Sequence, residues 1–257
     1  MIEIIKDKDF ASLKSIGHAF FTRQGGVSKP PYNSLNCNDS GRDKPESVQE
    51  NKRRALEHLN LHIESMITVR MVHGHEVAVV DKSWDVNFRP EADAMVTTLK
   101  NVVLASNSAD CPIVLLADEG AEVIGLAHAG WRSAKSGIIE KTVEKMITLG
   151  AKQNQIAAVI GPCITKDSYE VDSIFFQQFL LAKAQNKVYF SPSKKPDHYM
   201  FDLLSYVNDD LNRLVLKSVT AIGLDTYKKE ELFFSCRRAY HRNEPDFGGH
   251  LSCVYFV

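Results

Sequence analysis

Residues 102–132, VVLASNSADCPIVLLADEGAEVIGLAHAGWR, decide the fold class. Val102 to Ser106, Ile113 to Ala117 and Val123 to Ala127 are short, largely apolar runs with polar turns between them. A strand wetted on one face alternates apolar and polar side chains. These runs do not, so they read as strands covered on both faces. After Trp131 the period changes. Ile138, Ile139, Val143, Met146 and Ile147 fall at helical spacing from Ser133 onward, and Gly150 stands where a helix ends on a left-handed glycine.

Working outward, the same patterns predict strands over His18 to Thr22, Ile67 to Val72, Glu76 to Val80, Asp93 to Thr98 and Ile156 to Ile160, with a β tail at Leu232 to Ser235 and Leu251 to Val257. Helices are predicted over Ser47 to Leu59, Ser173 to Ala182 and Leu203 to Leu216. Gln24 to Asn33 is rich in turn residues, and Gln185 to Tyr199 reads as a mobile excursion. Strands concentrated in the centre with helices around them give an α+β class, a layered sandwich with helices flanking the sheets. No repeat or low-complexity linker interrupts the 257 residues, so 1–257 is read as one domain.

A content of 44% hydrophobic and 25% charged residues suits an ordinary globular core and excludes disordered and fibrous classes. The net charge of −1 argues against a nucleic-acid partner. Lys52-Arg53-Arg54 reads as the solvated face of a helix. Five cysteines, at 37, 111, 163, 236 and 253, form an odd and scattered set, and no basic-plus-apolar leader opens the chain. A reducing cytoplasm is the expected compartment. No apolar run is long enough for a membrane span.

Three segments stand out for chemistry: Val72-His73-Gly74-His75, Ser108-Ala109-Asp110-Cys111-Pro112 and Ala127-His128-Ala129-Gly130-Trp131-Arg132. Each lies where a strand-like run meets a turn, so folding can bring His73, Cys111 and His128 to one point. Two imidazoles and a thiolate leave a four-coordinate ion one position short, the mark of a catalytic zinc site. The same donors suit copper. With zinc, the open position would hold a water whose pKa falls to about 7. Asp110 and Asp93 are the candidate carboxylates to move protons or orient ligands. Gly130-Trp131-Arg132 precedes the predicted helix, so its N–H groups and the Arg132 fork suggest a phosphate site beside His128. Arg23 is a second phosphate candidate, because Gly25 and Gly26 would let the backbone approach a ligand.

Taken singly, each residue has a plainer explanation. Cys111 could be a small buried side chain, Asp110 a turn cap, Asp93 the start of a strand, Trp131 a packing aromatic and Arg132 a surface residue. His75 and the Gly161-Pro162-Cys163 turn are read as structural. The combination is what points to catalysis.

With these residues assembled, the chain resembles the bacterial YfiH family, which includes the vertebrate laccase-domain protein FAMIN. The resemblance runs over nearly the whole length, through FFTRQGGVS, VHG, ADAMVT, SADCP, GLAHAGWR, IGPCI, YEV and FFSCRR. It implies an α/β sandwich with mixed sheets and metal ligation by His73, Cys111 and His128. It further implies zinc-dependent phosphorolysis of adenosine, inosine, guanosine or methylthioadenosine, and deamination of adenosine. The family also carries an older label as a copper polyphenol oxidase, and one bacterial branch is linked to peptidoglycan precursor editing. The tail departs from the family pattern. Cys236 stands where a tyrosine is usual and His250 where an arginine is usual, which bears on substrate preference.

The residues themselves leave three catalytic readings open, beside the plainest one, a non-enzymatic binding module. A nucleoside phosphorylase needs an anion site, a rigid pocket for base and ribose, and stabilisation of a developing oxocarbenium sugar. A multicopper oxidase needs repeated His-X-His pairs, and the pair here is His73-Gly74-His75. A metal-free hydrolase would use Cys111 as nucleophile and His128 as base.

Overall fold

In a computed structural model describing residues 1–82, 84 and 89–257, the elements run β1 (Ile4–Ile5), β2 (Ile16–Phe21), α1 (Pro45–His58), β3 (Met66–Ile67), β4 (Val77–Val80), β5 (Ala94–Thr97), β6 (Val103–Ser108), β7 (Ile113–Asp118) and β8 (Val123–His128). They continue as α2 (Trp131–Lys135), α3 (Ile138–Thr148), β9 (Ala157–Ile160), β10 (Glu170–Asp172), α4 (Ser173–Ala182), β11 (Phe190–Pro192), β12 (His198–Phe201), α5 (Leu203–Arg213), β13 (Ser218–Ala221), α6 (Cys236–His241) and β14 (His250–Phe256).

Side-chain alternation on the strands builds the layers. On β7, Ile113, Leu115 and Ala117 join one apolar core while Val114 and Leu116 join another. β14 does the same, with Val254 and Phe256 on one side and Leu251, Cys253 and Tyr255 on the other. Both faces being apolar, each strand must be covered twice. The result is a five-stranded sheet, β1-β2-β14-β6-β3, packed against a six-stranded sheet, β13-β9-β7-β8-β5-β4. Helix α1 covers the outer face of the first through Ala55 and Leu56, and α3 and α5 cover the second through Ile139, Val143, Met146, Val207 and Leu211. Both sheets mix parallel and antiparallel pairs. The α/β sandwich with mixed sheets is thus present.

Four elements differ from expectation. The predicted strand Ile67 to Val72 shrinks to β3, because the N–H groups of Val72, His73 and Gly74 turn away to the Asp93 carboxylate. Leu232 to Ser235 is not a strand: the Leu232 and Phe233 N–H groups fold back on the Lys229 carbonyl, and Ser235 caps α6. The helix expected from Ser133 breaks at Gly137, whose φ of +81° separates α2 from α3. The excursion at 185–199 forms β11 and β12, which join β10 in a three-stranded sheet, with the Phe190 and Phe201 rings stacked at 4.6 Å.

The basic run also divides. Lys52 is buried and paired with Asp39, whereas Arg53 and Arg54 bridge to Glu50 on the exposed side. Burial of an ammonium requires such a partner. All five cysteines are free. Among the described residues no helix is long and apolar enough to cross a membrane.

Two histidines are buried in the five-stranded sheet. His18 accepts the Asp7 N–H at 3.0 Å through Nε2, and burial lowers its pKa to about 4. His250 is lowered by burial to about 3. The folded protein keeps both rings neutral, whereas the unfolded chain protonates them near pH 6.5, so stability falls as pH drops below that value. From pH 7 to pH 5 the His18 contribution amounts to about 2 kcal/mol. Urea unfolding at the two pH values will show a smaller acid loss for His18→Gln than for the wild type; equal losses would discount the ring as a source of acid sensitivity.

Candidate metal centre

Strand register places the candidate metal-ligating residues. In the six-stranded sheet Ile113 pairs with His128 and Ala94 with Ala127, so the turn before β7, the start of β5 and the end of β8 meet at one end of the sheet. Cys111 lies in that turn, Asp93 just before β5, and His73 in the loop ahead of β4. Their ordering gives a cluster in which one ligand atom each of His73, Cys111 and His128 all lie within 4.8 Å of one another. The rings of His73 and His128 are 5.0 Å apart. Metal–nitrogen bonds of about 2.0–2.1 Å and a metal–sulfur bond of about 2.3 Å fit a cluster of this size with small ligand adjustments. It is the cluster of this type found among the described residues.

Asp93 organises it. Its Oδ1 accepts the His73 N–H at 3.0 Å and lies 2.9 Å from His128 Nδ1. Its Oδ2 accepts the N–H groups of Val72 at 3.2 Å and Gly74 at 2.6 Å. The His128 N–H meets the Asp93 carbonyl at 2.7 Å. With Nδ1 donating to the carboxylate, His128 presents the lone pair of Nε2 to an ion. Burial by itself would raise the Asp93 pKa, but the hydrogen bonds from His128 and Gly74 prevail and hold it below the ordinary carboxylate value. Burial works against the charged form of His128, yet the Cys111 and Asp93 charges beside it raise its pKa to about 9.

Backbone geometry serves the same end. His73 has a φ of +56° and Asp110 a φ of +90°, left-handed values that are uncommon outside glycine and concentrate at functional sites. Gly130 matters through the side chain it lacks. A Cβ there would stand 3.0 Å from Cys111 Sγ, 3.2 Å from His73 Nδ1 and 3.3 Å from His128 Cε1. The glycine therefore keeps the space beside all three ligands clear, a role the phosphate-cradle expectation did not include. Helix α2 itself has five residues, too short for a substantial dipole.

The other predicted residues divide. Trp131 lines the pocket around the triad and packs on Phe175 at 4.7 Å. Arg132 lies 4.3 Å over the Trp131 ring and faces a neighbouring basin. Arg23 is away from the metal pocket. It donates to the Asn33 and Glu230 carbonyls, sits 4.3 Å over Phe234 and lines a separate cavity of about 590 Å³. Gly25 and Gly26 allow close passage of the chain by Ile2 and by Ser34, rather than approach to a ligand. Asp110 lines the pocket wall, but its oxygens accept from the Thr226 hydroxyl at 2.7 Å, the Ser235 hydroxyl at 2.9 Å and the Arg237 N–H at 2.7 Å. Its carboxylate thus ties the C-terminal segment to the Cys111 turn, and burial raises its pKa. His75 turns to Glu76, 3.3 Å away, and lines a different depression.

The pocket around the triad encloses about 420 Å³. Met71, Tyr169, Leu203 and Phe247 supply apolar walls, and Asn38, Ser40, Asn107 and Ser108 supply polar groups. Apart from Ser108, which belongs to the Cys111 segment, none of these was singled out from sequence. Tyr169 lay within the YEV motif, but nothing local ties an aromatic before a short strand to a candidate metal cluster whose nearest member in sequence, His128, lies more than forty positions upstream. Cys236 borders the same pocket, and burial raises its thiol pKa to about 11.

The model of the family described as multi-copper polyphenol oxidoreductase laccase matches residues 17–256. YfiH of Bacillus licheniformis superimposes with a TM-score of 0.88 at 25% identity, covering 99% of this chain and 96% of that one. The chain belongs to the YfiH family. YlmD of Geobacillus stearothermophilus, at 28% identity, has a TM-score of 0.83 over 95% of this chain and 93% of its own. This YfiH-family chain is also similar to proteins named purine nucleoside phosphorylases. One from Rickettsia conorii is 39% identical over 80% of this chain and 84% of its own length. Another from Rickettsia prowazekii is 41% identical over 71% and 74%.

Two substitutions test the geometry. Gly130→Ala is expected to reduce metal affinity while leaving the urea midpoint nearly unchanged, read by chelator competition; wild-type affinity would show that the ligands tolerate a methyl group there. Asp93→Asn is expected to weaken metal binding by about 10- to 100-fold, because it disturbs the hydrogen bond that fixes the His128 tautomer. Metal retention equal to wild type would remove Asp93 from that role.

Proposed function

We propose that this chain is a zinc-dependent purine nucleoside phosphorylase, acting as one catalytic unit over residues 1–257. The observation that carries the reading is the His73, Cys111 and His128 cluster in a pocket whose remaining walls suit a flat base and a polyhydroxyl sugar. Similarity to the named phosphorylases supports the substrate class. Adenosine, inosine, guanosine and methylthioadenosine are the nucleosides proposed, with inorganic phosphate as co-substrate in a cytoplasmic setting.

His73, Cys111 and His128 would hold the ion. When bound, it supplies Lewis-acid polarisation of a substrate oxygen or nitrogen. The chain's own residues do the rest. Asp93 fixes the direction of His128 and the His73 loop, and Gly130 keeps the approach clear. Trp131, Tyr169 and Phe247 provide aromatic faces for a purine, while Asn38, Asn107 and Ser108 offer donors and acceptors to ribose hydroxyls. Asp110 serves by securing the pocket wall rather than by moving a proton. Deamination of adenosine is proposed for the same pocket, with water adding at C6 of the purine and ammonia leaving.

Zinc is preferred to a copper cluster because the site offers three ligands and His75 faces elsewhere. A second reading has an observation in its favour: His128 meets Asp93 through Nδ1 and lies in the same cluster as the Cys111 sulfur, with their ligand atoms within 4.8 Å, an order resembling a thiol protease relay. His73 has no place in that relay but completes the metal set. Cys111→Ala and His128→Ala are each expected to lose metal and to abolish phosphate-dependent base release from adenosine or inosine, measured by elemental analysis and chromatography of the released base. Full turnover by metal-free variants would reject the metal mechanism; hydrolysis by metal-free wild type that Cys111→Ala alone abolishes would favour the relay.

A further inference from the structure

The cleft continues beyond the metal pocket. Trp131, Tyr169, Cys236 and Arg237 line both that pocket and a wider basin of about 930 Å³, and so form the neck between them. Arg237 comes from the first turn of α6, with its guanidinium carbon 5.0 Å from the Tyr169 ring centre and one nitrogen donating to the Glu170 carbonyl. Arg132 lies on the Trp131 ring at 4.3 Å and lines the basin. Neither forms an ion pair among the described residues, whereas Arg53, Arg54, Arg89 and Arg242 each hold a carboxylate. Lys195 adds a third cation to the basin, where Glu170 and Asp172 are the carboxylates. A guanidinium lying on an aromatic ring keeps its N–H edge for a planar or tetrahedral oxyanion.

Resting on the phosphorylase reading, we propose that Arg237 and Arg132 hold the orthophosphate co-substrate at this neck while the nucleoside occupies the metal pocket. The placement lets a phosphate oxygen approach the sugar from the basin side. That oxygen forms a bond to C1′ of the ribose as the bond from C1′ to the purine nitrogen breaks. The electron pair of the broken bond goes to the base, and the proton of hydrogen phosphate ends on the base nitrogen, leaving ribose 1-phosphate and free purine. The backbone N–H of Arg237 donates to Asp110 at 2.7 Å, one residue before Cys111, so one carboxylate registers the anion-binding side of the neck against the metal ligand.

The test uses zinc-loaded protein and inorganic phosphate as the probe. Arg237→Gln and Arg132→Gln are expected to raise the phosphate KM by about ten- to a hundredfold, with the nucleoside KM nearly unchanged. Calorimetric titration with phosphate alone should show the same weakening without reference to turnover. If wild type releases no base but still binds phosphate in an Arg237-dependent way, the phosphorylase reading fails and the anion site stands. If both variants bind phosphate as tightly as wild type, the assignment is overturned. Nucleoside 5′-monophosphate serves as a further arm: a loss of affinity confined to it, with orthophosphate binding unchanged, would assign the neck to a nucleotide's own phosphate and overturn the co-substrate role.

Discussion

One carboxylate holds the metal cleft together. Asp93 accepts three successive backbone N–H groups from the His73 loop and meets the His128 ring, so the two imidazoles are positioned by the same pair of oxygens. The arrangement follows from strand register, since β5 and β8 are antiparallel neighbours and Asp93 immediately precedes β5. A buried carboxylate is costly unless its lone pairs are filled, and here each bond that fills them also fixes a ligand. Ligand geometry and burial are therefore parts of one solution.

Sequence was most informative where burial on two faces left a simple signature. The runs at 113–117 and 123–127 carry no polar residue because alternate side chains face two different cores, and they became β7 and β8 almost at the predicted limits. His73, Cys111 and His128 were legible because three residues of two uncommon types each stood beside a strand end. What escaped depended on distant partners. Ile67 to Val72 is composed like a strand, but beyond β3 it keeps only an isolated bridge from Arg70 to Glu91, and the Val72 N–H goes to the Asp93 carboxylate. Arg23 beside two glycines resembles an anion site, yet its donors are taken by Asn33 and Glu230. Tyr169 and Arg237 reach the cleft through tertiary packing that no local spacing records. Lys52 shows the same limit, because Asp39 thirteen positions away decides that it lies inside.

The family's oxidase description and the phosphorylase names of similar proteins both bear on the candidate cluster of His73, Cys111 and His128. A thiolate with two imidazoles suits either metal, so the donor set does not choose the chemistry. The surroundings narrow it. His75, the nearest further imidazole in sequence, faces Glu76, while the pocket beside the triad carries aromatic walls and amide and hydroxyl groups.

β14 carries a separate implication for biogenesis. It lies between β2 and β6, so residues 250–256 supply the middle of the five-stranded sheet while coming last among its strands in the chain. A ribosome-bound nascent chain must wait with the facing edges of β2 and β6 unpaired until that segment emerges. Such open edges invite association with other chains. Chaperone occupancy during translation should therefore persist until the final strand inserts.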